Sequence, residues 1–115
     1  MSKEEIKILL VDDEKQFVDT LAERLAMRGF SARVAYDGPQ ALKAVEEPTD
    51  VIVLDLRMPG MDGFEVLRSV KKSNPQVQVI ILTGHGGDAE EQTAYRMGAY
   101  NFLKKPMDID ELLNS

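Results

Sequence analysis

The stretch VIVLDLRMPGMDGFEVLRSV, residues 51–70, decides the fold. Four consecutive branched or aliphatic residues, Val51 to Leu54, leave no polar position for a solvent-facing side, as expected of a strand buried on both faces. Asp55 ends the run. A turn rich in Pro and Gly follows, and Phe64, Leu67 and Val70 then recur at helical spacing up to the breaker Asn74-Pro75. A doubly buried strand feeding an amphipathic helix is the repeating half of a parallel βαβ unit, so the pattern should recur along the chain.

It recurs four more times. Apolar runs lie at Ile6–Val11, Ala32–Tyr36, Val77–Leu82 and Tyr100–Leu103. After the first come Phe17, Leu21 and Leu25, flanked by Val18 and Ala22 and closed by Gly29, the usual residue just past a helix end. Pro39 occupies an expected first helical position, with Ala41, Leu42 and Val45 behind it. The segment from Ala89 to Met97 is only thinly apolar and stops at Gly98. A last helix is expected from about Asp108, carrying Ile109, Leu112 and Leu113. Runs one, three and four are nearly continuous Val/Ile/Leu, whereas Ser31 and Arg33 interrupt the second and Asn101 the fifth. The second and fifth strands therefore belong at the edges. The prediction is an α/β fold with a five-stranded parallel sheet, order 2-1-3-4-5, and helices on both faces. Its ligand crevice should lie at the carboxyl ends of strands one and three, where the strand order reverses.

Size and composition agree with one such domain. The chain has 115 residues, short of two domains at roughly 150 residues each. At 43% hydrophobic it has the material for a core without staples. There is no cysteine, which excludes disulfides, thiolate metal sites and Cys nucleophiles, and one histidine excludes a multi-His metal centre. Fourteen Lys+Arg against 20 Asp+Glu give a net charge of −6, the wrong sign for a surface that contacts nucleic acid. No run approaches the roughly 18 apolar residues of a membrane span, and MSKEEIKILL is not a secretory signal. A cytoplasmic domain without nucleic-acid or membrane contacts is the expectation.

The residues that follow the strands carry the chemistry. Strand one ends in Asp12-Asp13, strand three in Asp55, strand four in Thr83-Gly84 and strand five in Lys104-Lys105-Pro106. Each has a bland explanation: an Asp pair before a helix is commonly a cap, and Thr-Gly and Lys-Pro are ordinary loop chemistry. One site explains all of them together. Two carboxylates about 4 Å apart repel by roughly 4 kcal/mol at an effective dielectric near 20, so three in one crevice require a proton or a cation. Oxygen ligands alone select Mg²⁺ or Mn²⁺, which accept phosphate oxygens in their remaining positions. With a Lys and a Thr alongside, the pattern reads as a place where phosphate is held. Asp55 is the candidate nucleophile, since a carboxylate can form an acyl phosphate.

The segments ILLVDDE (8–14), VIVLDLRMPGMDGFEVL (51–67), VIILTGHG (79–86) and GAYNFLKKP (98–106) resemble the receiver domain of two-component response regulators. The resemblance covers essentially the whole chain, and its members share the flavodoxin-like order 2-1-3-4-5. It implies that Asp55 accepts a phosphoryl group from a sensor histidine kinase or phosphotransfer protein. Asp12, Asp13, Asp55 and the Arg57 backbone carbonyl would hold Mg²⁺. Lys105 would pair with the phosphoryl oxygens beside a cis Lys105–Pro106 bond, Thr83 would bond the phosphate, and Phe102 would repack in response. Phe102 departs from the Tyr often found there and has no hydroxyl to offer. The loop Met58–Gly63 would aim the Arg57 carbonyl inward, with Asp62 and Gly63 as turn and helix-start residues. Arg57 and His85, two residues beyond Asp55 and Thr83, would overhang the expected phosphate and are candidates for setting its lifetime. The weakly anchored fourth helix, the fifth strand and the fifth helix would form the face that engages an output domain, a partner protein or a second copy. The short last helix fits either a piece of a longer regulator or a stand-alone domain.

Three other readings meet specific obstacles. A phosphohydrolase of the haloacid-dehalogenase type needs a second Asp two residues after the nucleophile, where this chain has Arg57. A flavin module needs a Ser/Thr/Gly-rich loop after strand one, where Asp12-Asp13-Glu14 would repel the flavin phosphate. A degenerate receiver acting only as a binding module would not need the complete acidic set together with Thr83 and Lys105.

Overall fold

The computed structural model describes residues 6–84, 86–106 and 108–114. Ten elements alternate along the chain: β1 (Ile8–Val11), α1 (Lys15–Met27), β2 (Ala32–Ala35), α2 (Gly38–Ala44), β3 (Val51–Leu54), α3 (Gly63–Ser73), β4 (Gln78–Thr83), α4 (Asp88–Arg96), β5 (Asn101–Lys104) and α5 (Ile109–Leu113). The strands form one parallel sheet in the order β2-β1-β3-β4-β5, as the hydrophobic runs predict.

Alternate side chains of the central strands feed two cores. Leu9, Val11, Ile52, Leu54, Val79 and Ile81 pack with Ala41 of α2, Val66, Leu67 and Val70 of α3, and Ala94 of α4. Ile8, Leu10, Val53, Ile80 and Leu82 pack on the opposite face with Val18, Leu21 and Leu25 of α1 and Ile109 and Leu112 of α5. Both faces of β1, β3 and β4 are thus covered, which is why those runs carry almost no polar residue. The edge strands show the expected contrast: no residue of β2 before Ala35 is fully buried, and in β5 only Phe102 is. Ala94 is the single fully buried residue of α4, matching its thin apolar face. Among the described residues no helix is long and apolar enough to cross a membrane.

Several element boundaries differ from the sequence expectation, each for a local hydrogen-bonding reason. β1 begins at Ile8, not Ile6, because the Lys7 carbonyl accepts the N–H groups of Asp50 and Val51 while its own N–H bonds Asp50 Oδ2 at 2.8 Å. Val77 precedes β4: its N–H closes a turn on the Asn74 carbonyl at 3.0 Å, although its side chain is buried. Tyr36 leaves β2 to donate its N–H to the Gln40 side chain. Tyr100 lies before β5 and is exposed, with its N–H on the Val79 carbonyl. α2 starts at Gly38, one residue before Pro39, with Asp37 accepting the Gln40 N–H at 2.8 Å as its cap. Phe64 is only half-buried, and α3 is anchored by Val66, Leu67 and Val70 instead.

Candidate functional site

The sheet register places the chemistry. Val11 of β1 stands level with Leu54 of β3, so the next residue of each strand, Asp12 and Asp55, leaves the same edge side by side. Ladder-like bonds hold both in line: Asp12 N–H donates to the Ala35 carbonyl at 3.1 Å and Asp55 N–H to the Val11 carbonyl at 3.0 Å. At the far side of the crevice Lys105 N–H donates to the Thr83 carbonyl at 3.0 Å, fixing the exit of β5 against the end of β4. The Lys105–Pro106 peptide is cis, as the resemblance implied.

Asp12 and Asp55 are each only 3% exposed, and Asp13 is half-buried beside them. One carboxylate oxygen from each of the three lies within 4.8 Å of the others. Asp12 Oδ1 accepts the Glu14 N–H at 2.9 Å, and Oδ2 meets Lys105 Nζ at 2.7 Å. Asp55 has less. Its Oδ1 is buried with no hydrogen-bond partner, and its Oδ2 is 3.9 Å from Lys105 Nζ, beyond hydrogen-bond range. A buried carboxylate oxygen without a partner is costly, and a divalent cation shared with Asp12 and Asp13 would satisfy it. The donor set is all carboxylate oxygen, which fits a hard cation and no soft one.

The Asp pair does not cap α1. The cap position is Glu14, whose side chain makes no capping bond, so the simplest structural explanation for Asp12-Asp13 does not hold. Glu14 Oε1 instead bonds Lys105 Nζ at 2.7 Å, and the Phe17 ring centroid lies 4.3 Å from the same nitrogen. Burial disfavours charge on both Asp12 and Lys105, with different outcomes. Asp12 has a raised pKa, because its desolvation, reinforced by the neighbouring Asp55, outweighs the bonds from Lys105 and the Glu14 N–H. For Lys105, desolvation is outweighed by the bonds to Asp12 and Glu14 and the field of Asp55, and its pKa is raised as well.

The loop after Asp55 is shaped to bring α3 against the end of β3. Leu56 and Met58 point into the core while Arg57 between them is exposed, and Gly60 takes a positive φ of 79°. Gly63 N–H bonds the Leu56 carbonyl at 2.8 Å, and a Cβ on Gly63 would collide with the Asp55 carbonyl oxygen and Leu56 Cα. Asp62 caps α3 by accepting the Glu65 N–H at 3.0 Å. Turn and helix-start roles for Asp62 and Gly63 are therefore as expected, and Gly63 also permits the close approach. Arg57 lines a cavity of about 600 Å³ with Pro59, Phe64 and Glu90. The Gly87 N–H bond, chiefly, and the nearby Arg57 charge lower the Glu90 pKa.

Thr83 ends β4 and is 1% exposed. Phe102 is 7% exposed and packed inward with its ring tip under Gly86: a Cβ on Gly86 would sit 3.0 Å from Phe102 Cζ and 3.6 Å from Thr83 Cγ2. The two residues singled out as switches thus share one loop contact. His85 lies outside the described residues. Asp12, Asp13, Asp55 and Lys105 are brought together as the sequence led one to expect. Glu14 and Phe17 were not foreseen as parts of the site, although Glu14 directly follows the Asp pair.

With this geometry in view, the chain matches the response regulator receiver domain family over residues 8–115, and it belongs to that family. It is 37% identical over 107 residues to the transcriptional regulatory protein CpxR of Escherichia coli K12, covering 93% of this chain and 46% of that protein. It is 37% identical over 112 residues to a putative response regulator NtrX-like protein of Rickettsia typhi, covering 95% of this chain and 24% of that protein. The chain thus spans a quarter to a half of the length of these relatives. Among solved structures, the receiver domain of Francisella response regulator 1452 superposes with a TM-score of 0.87 at 33% identity, over 95% of this chain and 91% of that one. A Burkholderia pseudomallei response regulator, solved with a phosphorylated aspartic acid, calcium ion and citrate, gives 0.89 at 29% identity over 95% and 65%. The chain is a receiver domain of a two-component signalling protein.

Proposed function

We propose that this receiver is a phosphoacceptor and that Asp55 takes a phosphoryl group from a phospho-histidine on a sensor kinase or phosphotransfer protein. The observation that carries this reading is the buried, unpartnered Oδ1 of Asp55, a carboxylate set among two others and with its Oδ2 3.9 Å from the Lys105 ammonium. An Asp55 oxygen attacks phosphorus as the bond to the donor imidazole nitrogen breaks. The imidazole keeps the electron pair and takes a proton from solvent, so no general acid is needed on this chain. Lys105 would move onto the new phosphoryl oxygens, and Thr83 would donate its hydroxyl to them.

Asp12, Asp13, Asp55 and the Arg57 backbone carbonyl would hold Mg²⁺, with Mn²⁺ as a substitute. When bound, the cation supplies charge neutralisation for the carboxylates and for the incoming phosphoryl oxygens. The phosphorylated aspartate of the Burkholderia structure supports the same chemistry here by similarity. Slow loss of the phosphoryl group to water would be the domain's own reaction. Arg57, exposed two residues after the acceptor, and His85, two residues after Thr83, would set the phosphoryl lifetime, so Arg57→Ala should change the dephosphorylation rate; an unchanged rate removes Arg57 from this role. Engagement of Thr83 and Phe102 would shift α4, whose single buried anchor makes it easy to displace. The α4–β5–α5 face, with Tyr95 and Tyr100 exposed, then contacts an output domain, a partner protein or a second copy in the cytoplasm, without touching nucleic acid itself.

The test is incubation with acetyl phosphate and Mg²⁺ followed by intact mass measurement. Wild type gains one alkali-labile phosphoryl mass and Asp55→Asn gains none. An unmodified wild type refutes the proposal.

A further inference from the structure

We propose that Glu14 is a positioning residue that holds the Lys105 ammonium away from Asp55 until a phosphoryl group arrives. The inference rests on the phosphoacceptor reading of Asp55. Lys105 Nζ is 2.7 Å from Asp12 Oδ2 and 2.7 Å from Glu14 Oε1, but 3.9 Å from Asp55 Oδ2. An ammonium has three N–H donors; two are committed to Asp12 and Glu14, and Asp55 lies too far away for the third. The Phe17 ring, 4.3 Å away, attracts the cation from another side. All three groups that hold the ammonium come from the segment between the end of β1 and the first turn of α1.

Glu14 is the informative member. It occupies the cap position of α1, yet its carboxylate makes no capping bond and reaches Lys105, 91 residues along the chain. Its backbone N–H bonds Asp12 Oδ1 at 2.9 Å, so Asp12 and Glu14 are linked and their carboxylates form a clasp on one ammonium. The clasp explains why the buried ammonium does not rest on Asp55, the carboxylate most in need of a partner. A phosphoryl group on Asp55 would extend dianionic oxygens toward Nζ, and Lys105 would move across only by giving up the Glu14 charge. Glu14 therefore opposes the phosphorylated arrangement. The opposition is modest, because the Glu14 side chain is 62% exposed and largely screened by water. The Glu14→Gln variant keeps the shape and removes the competing charge.

Two measurements on the full chain test this. In metal-free protein, the ¹⁵N signal of the Lys105 ammonium should show scalar coupling across hydrogen bonds to the carboxylate carbons of both Asp12 and Glu14. Absence of the Glu14 coupling overturns the proposal. Beryllofluoride with Mg²⁺, a non-covalent mimic of the acyl phosphate, should bind Glu14→Gln about two- to fivefold more tightly than wild type. In a Lys105→Met background the same substitution should have no effect, and the affinity for Mg²⁺ alone should be unchanged. An equal gain in the Lys105→Met background, a weaker affinity, or a shift in Mg²⁺ affinity would assign Glu14 to direct repulsion or metal binding and overturn the clasp. Wild type that binds beryllofluoride with no difference in Glu14→Gln refutes the role of Glu14 alone. Wild type that neither binds it nor accepts phosphoryl from acetyl phosphate refutes the phosphoacceptor reading and the role of Glu14 with it.

Discussion

Replacing Asp13 with Asn should stabilise the metal-free protein and weaken its response to Mg²⁺. Among the described residues Asp13 is the member of the acidic trio with no cationic partner, since Lys105 bonds Asp12 and lies 3.9 Å from Asp55. Its oxygen is within 4.8 Å of an oxygen of each of the other two, a separation at which one pair of unit charges repels by about 3.5 kcal/mol at an effective dielectric of 20 and by about 0.9 kcal/mol in bulk water. Asp13 is half-exposed, so the relief from both neighbours should fall near the low end, about 1–2 kcal/mol. For a domain of 115 residues each kcal/mol moves the melting temperature by about 4 °C, giving a rise of about 4–8 °C in EDTA at low salt. The gain should shrink as salt is added. Mg²⁺ reverses the order: a cation at a hundredfold excess over its dissociation constant adds about 2.7 kcal/mol to wild type, and much less to a variant that has lost a ligand. Thermal unfolding followed by circular dichroism, with EDTA and with Mg²⁺, reads both arms. A melting temperature for Asp13→Asn equal to or below wild type in EDTA refutes the reasoning. Asp12→Asn is the poorer test because it also forfeits the 2.7 Å bond to Lys105.

Other outcomes follow from the same geometry. The Asp12 carboxyl, followed by ¹³C NMR in metal-free protein, should titrate above the ordinary value of 3.8, because burial disfavours its charge; a midpoint at or below 3.8 contradicts this. A raised carboxyl pKa favours folding when the group is protonated. That contribution is complete below the unfolded value and is lost as pH rises through the folded one, so ionised Asp12 costs stability at neutral pH. Gly63→Ala should destabilise the domain by at least about 1–3 kcal/mol, since its Cβ meets backbone atoms of Asp55 and Leu56 that cannot turn aside; denaturant unfolding matching wild type would show that α3 can slide. Leu67→Ala, fully buried between α3 and the sheet, should cost about 2–5 kcal/mol in the same assay.

The fold was legible because its central strands are covered on both faces and thus carry an uninterrupted apolar code, with the polar interruptions at Arg33 and Asn101 marking the edges. Strand ends were less legible. Val77 and Tyr100 continue the apolar runs but spend their N–H groups on a turn and on a contact with β4 at the entry to β5, and nothing in their side chains announces that. At the site, Asp12, Asp13, Asp55 and Lys105 could be read because each lies one or two residues past a strand end, and the parallel register carries adjacent strand ends to one edge. Glu14 and Phe17 escaped because their roles depend on where a side chain points from the start of α1. Glu14 looks like an ordinary first-turn acid and Phe17 like an ordinary core position. Their meeting at Lys105 is a contact between residues some 90 positions apart that no local pattern encodes.

The charge balance of the crevice shows why so small a chemical event could be read by so few residues. Three carboxylates, those of Asp12, Glu14 and Asp55, lie within 4 Å of the Lys105 ammonium and Asp13 lies beside Asp12 and Asp55, so these five groups carry half of the chain's net charge of −6 at one edge of the sheet. A divalent cation there would leave about one excess negative unit, and a dianionic phosphoryl group on Asp55 would raise that by about one more. Lys105 is already fully charged and buried among these groups, so it can answer the extra unit only by changing partners. The motion open to it is the 3.9 Å gap to Asp55, at the expense of one of two 2.7 Å bonds. Asp12 would be engaged by the metal, which leaves the bond to the exposed Glu14 as the one that yields. On this argument the strength of the Glu14–Lys105 bond sets how readily the resting arrangement gives way to the phosphorylated one, and a receiver with a neutral residue at that position should sit closer to the active state.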